Sequence, residues 1–329
     1  MSVSSLSPRR VLFPFPLRRV RFEIVFEKEG VLPAYPGSAI RGMLGHGLRR
    51  VLCVTAQRSC EGCALAAGCG YVHFFETPCP PALRHRFAAV PHPWVLDFEF
   101  PMPKVVRSGE RLTFYVTLIG DGNDYLAWLI LALRHAARRG LGRSKLPFRL
   151  DRVAVESEPG CGDWIPVELR GMPGLSNSNT GVPVPAAVPS RIAMQLMTPL
   201  RLKRRGALVT PDELSLGLLL SALRLRWRDV IDLYGQPPSE PALPELPAGV
   251  DEALHRKQLR WVDWTRYSSR QRTTMQLGGI TGSMEFELTG LAQWWPLLWL
   301  GQWLHVGKQT SMGLGQYRLW PAGSVPANA

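Results

Sequence analysis

Lysine is scarce in this chain. Only Lys28, Lys104, Lys145, Lys203, Lys257 and Lys308 are lysines among 39 basic residues, and the other 33 are arginine. Acidic residues are also few, 26 in all, which leaves a formal net charge of +13 and a sequence pI near 10.0. No run of 18 apolar residues occurs. The richest stretch, around 291–306, is broken by glutamines and Pro296, which argues against a membrane-spanning helix. The opening, MSVSSLSPRRVLFPFPLRRVRF, mixes arginines into its apolar residues and has no clear cleavage site, so the expectation is a cytoplasmic protein without a signal peptide. A mononucleotide loop is missing too. Counting back from Gly307-Lys308 puts Gln302 where the first glycine of a Walker A loop belongs, and Gln309 where its hydroxyl belongs.

What is present is enough for two domains. The chain has 329 residues, 46% of them hydrophobic, so sizeable cores are expected and disorder is not. Arginine in such excess suits bidentate phosphate contacts and stacking on bases, although a GC-rich genome produces the same bias. The stretch LAQWWPLLWLGQWLHVGKQTSMGLGQYRLW, 291–320, reads as helix, glycine-rich loop and strand. Gly307, Gly313 and Gly315 permit close approach of a ligand to backbone N–H groups, and Lys308 adds a cation, so a phosphate is one expected guest. A tight turn that only lets a last strand pack is the other reading.

Near the start, SAIRGMLGHGLRRVLC, from Ser38, is an amphipathic helix whose stripe is Ile40, Met43, Leu44, Leu48 and Val51. His46 falls about 140° from the centre of that stripe at 100° per residue, with Arg41, Arg49 and Arg50 on or beside the same polar side. A neutral histidine among cations is a proton acceptor beside anion-stabilising charge. In-line attack by a ribose 2′-hydroxyl on its own phosphodiester requires that combination. Tyr35, in the loop before the helix, could add a hydroxyl. An exposed histidine without a role and a packed turn tyrosine fit the same residues.

Four of the six cysteines follow at once, Cys53, Cys60, Cys63 and Cys69, in C-x6-C-x2-C-x5-C spacing. In a reducing compartment such crowding points to a metal, with structural zinc expected first and an iron–sulfur cluster second; unmetallated buried thiols are the third reading. Cys79 and Cys161 look incidental.

The elements fall into the order β-α-β-β-α-β twice. Strands are expected at 18–28, 92–100, 110–120 and 148–156, with helices from Ser38 and over 123–142. A second round runs through 190–206, a helix over 211–235, WVDWTRYSSRQ, MQLGGITGSMEFELTG and the closing helix and strand. The expected fold is α+β, two tandem ferredoxin-like domains, 1–160 and 190–329. A metal-binding insertion at 53–79, a linker at 161–189 and the glycine-rich loop at 307–315 complete the layout. Lys203, Arg204, Arg205, Arg266, Arg270 and Arg272 are expected to lie with that loop on one basic face.

With those pieces quoted, the chain resembles the Cas6 family of CRISPR repeat-processing endoribonucleases, within the repeat-associated RNA-binding superfamily. LPAYPGSAIRGMLGHGLRRVLC, TPLRLK, WTRYSSRQ, LGGITGSMEFELTG and LHVGKQTSMGLGQY carry the likeness. The resemblance implies binding of repeat RNA across a basic cleft and metal-independent cleavage that leaves a 2′,3′-cyclic phosphate. His46 would be the general base, helped by Tyr35 and Arg49. Contacts to RNA would come from Arg41, Arg50, Lys203, Arg204, Arg205, Arg266, Arg270, Arg272, Gly307, Lys308, Gly313 and Gly315. The implied partners are repeat RNA or crRNA and other Cas proteins of an effector complex, with no membrane, for a monomer or homodimer. Two alternatives stand beside this: a non-catalytic guide-RNA-binding subunit, and an unrelated zinc-stabilised nucleic-acid-binding protein.

Overall fold

A computed structural model describes residues 9–11, 16–33, 35–57, 59–87, 90–100, 102–168, 182–235, 243–268 and 273–324. The chain divides into two units: residues 16–178, and residues 179–329 joined by the opening residues 1–15. The opening strand, β1 (Arg9–Val11), thus belongs with the second unit.

In the first unit the alternating segment LRRVRFEIVF forms β2 (Leu17–Phe26), with Val20, Phe22 and Ile24 buried on one face. A two-residue strand, β3 (Gly30–Val31), precedes helix α1 (Gly37–Leu52). After the cysteine segment come β4 (Trp94–Phe98), β5 (Val105–Val106), β6 (Arg111–Ile119), α2 (Leu126–Ala137), β7 (Phe148–Glu156) and β8 (Trp164–Pro166). The five-stranded sheet runs β4-β6-β2-β7-β8, and β3 pairs with β5. Its antiparallel registers include Phe22 opposite Phe114 on β6 and Phe22 opposite Val153 on β7. The first four strands of that order are those of a ferredoxin-like sheet. β8 is an extra edge strand, from residues expected to be linker. Phe22 stacks on Phe114 at 5.4 Å within the core beneath the helices.

The helix-free side of β2 carries charge. Arg19 bridges Asp97 at 3.2 Å and Glu156 at 3.3 Å, with Asp97 fully buried, and its guanidinium lies 4.2 Å from the Tyr115 ring centroid. Both carboxylates are therefore matched within the unit, as buried charges must be.

In the second unit β9 (Val182–Val184) pairs with β1, and β10 (Arg191–Leu200) leads to the short hairpin of β11 (Lys203–Arg204) and β12 (Ala207–Leu208). Helix α3 (Leu216–Tyr234) starts at Ser215, whose hydroxyl accepts from the Leu218 N–H. Then come β13 (Leu254–Val262), the hairpin of β14 (Thr265–Ser268) and β15 (Thr273–Gln276), β16 (Gly279–Glu287), α4 (Trp295–Leu304) and β17 (Tyr317–Pro321). The sheet order β13-β16-β10-β17 repeats the ferredoxin-like order of the first unit. The fold is a tandem of two such units, as expected. One strand differs: the second strand of this sheet is Leu254–Val262, whereas WVDWTRYSSRQ was expected there. Thr265–Ser268 and Thr273–Gln276 instead pair with each other as a separate two-stranded sheet.

Candidate nucleic-acid interface

Helix α1 turns Ile40, Met43, Leu44 and Leu48 into the core and leaves His46 exposed. Its three internal glycines have different surroundings. A Cβ on Gly47 would lie 2.3 Å from the Ala132 carbonyl oxygen of α2, and one on Gly45 would lie 2.8 Å from the Phe75 ring. A Cβ on Gly42, one turn before His46, would meet nothing within 4 Å. Arg50, one turn after His46, is exposed. The open strip of the helix is therefore Gly42, His46 and Arg50.

The other residues expected around His46 are committed elsewhere. Arg41 donates from Nη2 to His92 Nε2 at 3.1 Å and lies 5.1 Å from the Phe75 ring centroid. Since a guanidinium only donates, His92 accepts at Nε2 and its Nδ1–H donates to Thr77 Oγ1 at 2.7 Å. Arg49 donates to the Gln57 carbonyl and sits over Tyr71 at 5.6 Å. From three residues beyond His46 on the same helix it braces the cysteine segment. Tyr35 is placed in the core. It is 6% exposed, its ring edge meets Phe98 at 5.8 Å, and burial, then the charge of Asp97, holds its hydroxyl pKa well above the phenol range. A buried phenol of that kind packs the core and does not reach solvent with His46.

Cys53, Cys60, Cys63 and Cys69 are half-buried free thiols. Thr55 Oγ1 lies 3.7 Å from Cys53 Sγ and 3.9 Å from Cys63 Sγ. The Thr55 hydroxyl is the main cause that lowers the Cys53 thiol pKa, while burial raises that of Cys60. The donor chemistry suits zinc, but among the described residues no group of three or more His, Cys, Asp or Glu side chains is placed to hold a metal. The zinc expected from the spacing has no support in this arrangement.

In the second unit, Lys203, Arg204 and Arg205 are exposed on the β11–β12 hairpin, with Arg205 at φ 51° and Gly206 at φ 86° making the tight reversal. Arg266 lies on β14, its side chain outside the described set, and Arg270 and Arg272 lie outside the described residues. The glycine-rich loop is present between α4 and β17, but its glycines answer to the protein itself. A Cβ on Gly315 would come within 1.8 Å of the Val306 carbonyl oxygen, and one on Gly307 within 2.6 Å of that of Arg201. The N–H groups of Lys308, Gly313 and Gly315 donate to Arg201, Thr310 and Pro199 carbonyls at 3.0, 2.8 and 3.2 Å. Thr198 Oγ1 donates to the Gly313 carbonyl at 2.8 Å and accepts from the Gln316 N–H at 2.9 Å. These three N–H groups are thus not open to a phosphate. The exposed side chain of the loop is Lys308.

Arg226, which the sequence leaves unremarked, is 7% exposed. A signal was there: it sits at i+3 and i−4 from Leu223 and Val230, on the apolar stripe of α3.

Residues 194–317 match the family model of the CRISPR-associated endoribonuclease Cas6, and residues 15–167 match a model described as an N-terminal domain. An uncharacterized protein of Archaeoglobus fulgidus is 24% identical over 312 residues, covering 93% of this chain and 99% of that protein. Among solved structures, a chain of a partial Cas6-RT-Cas1–Cas2 complex aligns with a TM-score of 0.54 at 16% identity, covering 96% of this chain and 48% of that one. Thermus thermophilus Cas6 aligns at TM-score 0.48 and 16% identity, over 93% of this chain and 98% of that one. At these identities the structural likeness is one of fold.

Proposed function

We propose that this chain, which carries a Cas6-family domain over residues 194–317, binds CRISPR repeat RNA and cleaves it by transesterification with no metal in the reaction. The reading rests on the family's description as an endoribonuclease and on one local observation. His46 is exposed on a helix whose other faces are committed, between an open Gly42 and an exposed Arg50.

In this mechanism the neutral imidazole takes the proton of the 2′-hydroxyl preceding the scissile phosphate. The freed oxygen attacks phosphorus, the P–O5′ bond breaks, and the departing 5′-oxygen takes up a proton. The products are a 2′,3′-cyclic phosphate and a 5′-hydroxyl. Arg50, one helical turn from the base, supplies positive charge for the developing phosphorane. The exposed Lys203, Arg204, Arg205 and Lys308 of the second unit supply phosphate contacts, which give affinity without base information.

The test is single-turnover cleavage of a repeat RNA in EDTA. Replacing His46 by Ala is expected to slow cleavage by about 10²-fold or more, the scale of a lost general base, while affinity stays within a few-fold. A 2′-deoxy nucleotide 5′ to the cut should block the wild-type protein. Cleavage of that deoxy RNA overturns the mechanism. A fast His46→Ala protein leaves the mechanism in place and moves the base elsewhere. Tight binding without any cleavage makes the chain a guide-RNA-binding subunit, in which the exposed histidine has no chemical task.

A structural zinc on Cys53, Cys60, Cys63 and Cys69 belongs to the same proposal, on the thiols' chemistry and their clustering alone. Among the described residues no helix is long and apolar enough to cross a membrane.

A further inference from the structure

Arg226 lies on the buried stripe of α3 with Leu219, Leu223 and Val230. Burying a guanidinium is costly, and a leucine or methionine would fill the same space without that cost. Burial lowers its pKa to about 10, so it is still charged at neutral pH. Its hydrogen bonds go to a backbone carbonyl and a hydroxyl, and Tyr234 and Asp229 act on its charge. Nε and Nη2 donate to the Leu304 carbonyl at 3.2 and 3.1 Å, and Nη2 also donates to Thr310 Oγ1 at 3.2 Å. Leu304 is the last residue of α4, where carbonyls lack helical partners and the helix dipole favours a cation. Thr310 opens the short 3₁₀ turn of the glycine-rich loop. Arg226 therefore ties the end of the helix to the middle of the loop.

The span it brackets, residues 305–309, is strained. His305, Gly307 and Gln309 have φ of 54°, 85° and 66°, and two of these are not glycine. Side chains hold such conformations only where the surroundings over-determine them, and such strain gathers at ligand-contacting sites. Lys308 is the exposed side chain within this span, and its own N–H is fixed to the Arg201 carbonyl at 3.0 Å.

We propose that Arg226 is a positioning residue for RNA binding. From inside the core it bridges Leu304 and Thr310, and so holds the strained span that presents Lys308 to an RNA phosphate. This rests on the reading above that the loop meets RNA.

The experiment measures repeat-RNA affinity against salt for the wild type, Lys308→Ala, Arg226→Met, Arg226→Lys, Thr310→Val and the Arg226→Met/Lys308→Ala double variant. Lys308→Ala should weaken binding about five-fold at low salt and flatten the log–log salt slope by about 0.7–0.9, the worth of one phosphate. Arg226→Met should flatten the slope equally, although its side chain is buried, and the double variant should be no flatter than either. Arg226→Lys and Thr310→Val, which keep a buried cation but lose part of the bridge, should fall between. A merely structural arginine would lower the melting temperature and leave the slope alone. A folded Arg226→Met with the wild-type slope overturns the proposal. Should that variant not fold, wild-type slopes in both Arg226→Lys and Thr310→Val overturn it. If Lys308→Ala itself binds like the wild type, the RNA reading of the loop fails and this proposal with it. If Lys308→Ala is weakened and the Arg226 series is not, the positioning role alone is wrong.

Discussion

Replacing Gly315 by Ala should strongly destabilise the second unit, and the reason is backbone packing. The new Cβ would sit 1.8 Å from the Val306 carbonyl oxygen, so the two must part by 1.2 Å to reach the 3.0 Å at which real Cβ contacts begin. Gly315 also has φ 72°, where an L-residue costs about 1–2 kcal/mol. Parting the chains breaks two bonds, Val306 N–H to the Gly315 carbonyl at 3.1 Å and Gly315 N–H to that of Pro199 at 3.2 Å. Each buried group left unsatisfied costs about 1–3 kcal/mol, which brings the total to about 3–8 kcal/mol. A domain has about 5–15 kcal/mol in all. At about 2–4 °C per kcal/mol for a unit of this size, the melting temperature should fall by at least about 6 °C. Thermal and urea denaturation followed by circular dichroism measure it, with limited proteolysis locating the loosened unit. A variant melting within about 2 °C of the wild type would refute the view that this contact sets the loop.

Gly42→Ala should do the opposite to stability, adding up to about 1 kcal/mol because the site is helical and open. If RNA lies against α1 beside His46, the same change should slow cleavage about ten-fold or more; a wild-type rate would place the RNA elsewhere. Elemental analysis of protein purified without added metal should find about one zinc per chain, lost on replacing Cys60 and Cys63 by Ser; folded protein free of zinc and iron removes that site. Hydrogen bonding from Arg149, then its charge and the contact from Arg111, holds the Asp151 carboxyl below its usual range. A depressed folded pKa means its contribution is complete above about pH 4 and lost as the pH falls through the folded value. Asp151→Asn should therefore flatten the acid limb of the stability curve, and an unchanged limb would deny these ion pairs any role.

Elements with a strong two- or 3.6-residue period were legible. LRRVRFEIVF carries the alternation of a strand with one face in the core, RLTFYVTLI and FRLDRVAVE are rich in strand-forming apolar residues at every second position or nearly so, and α1 announced both its stripe and its off-stripe histidine. β13 was not legible, for a physical reason. It is an edge strand, most of its LHRKQLRWV residues are exposed, and no buried face imposes alternation. The overlapping WVDW, whose first two residues end β13, looked more like the strand's centre because it is richer in apolar residues. Distance in sequence hid the rest. That Arg49 would brace Gln57 and Tyr71, or Tyr35 would pack on Phe98, depends on where a long connection settles.

Glycine is where composition misleads most in this chain, because the same absent Cβ serves two ends. A ligand that approaches the backbone needs it, and so does a second stretch of the protein's own backbone. Gly307 and Gly315 looked like the first kind and are of the second, since the carbonyls of Arg201 and Val306 occupy the space. With the N–H groups of Lys308, Gly313 and Gly315 taken by the protein's own carbonyls, the RNA contact proposed for this loop rests on Lys308 and on how firmly Arg226 holds the span that carries it. In α1 the assignment runs the other way. Phe75 and Ala132 account for Gly45 and Gly47, and none of the described residues accounts for Gly42. An unfilled glycine one turn from an exposed histidine is the feature that packing leaves unexplained and that a close-lying RNA backbone would explain, so Gly42 and His46 should lose activity together while only Gly42→Ala gains stability.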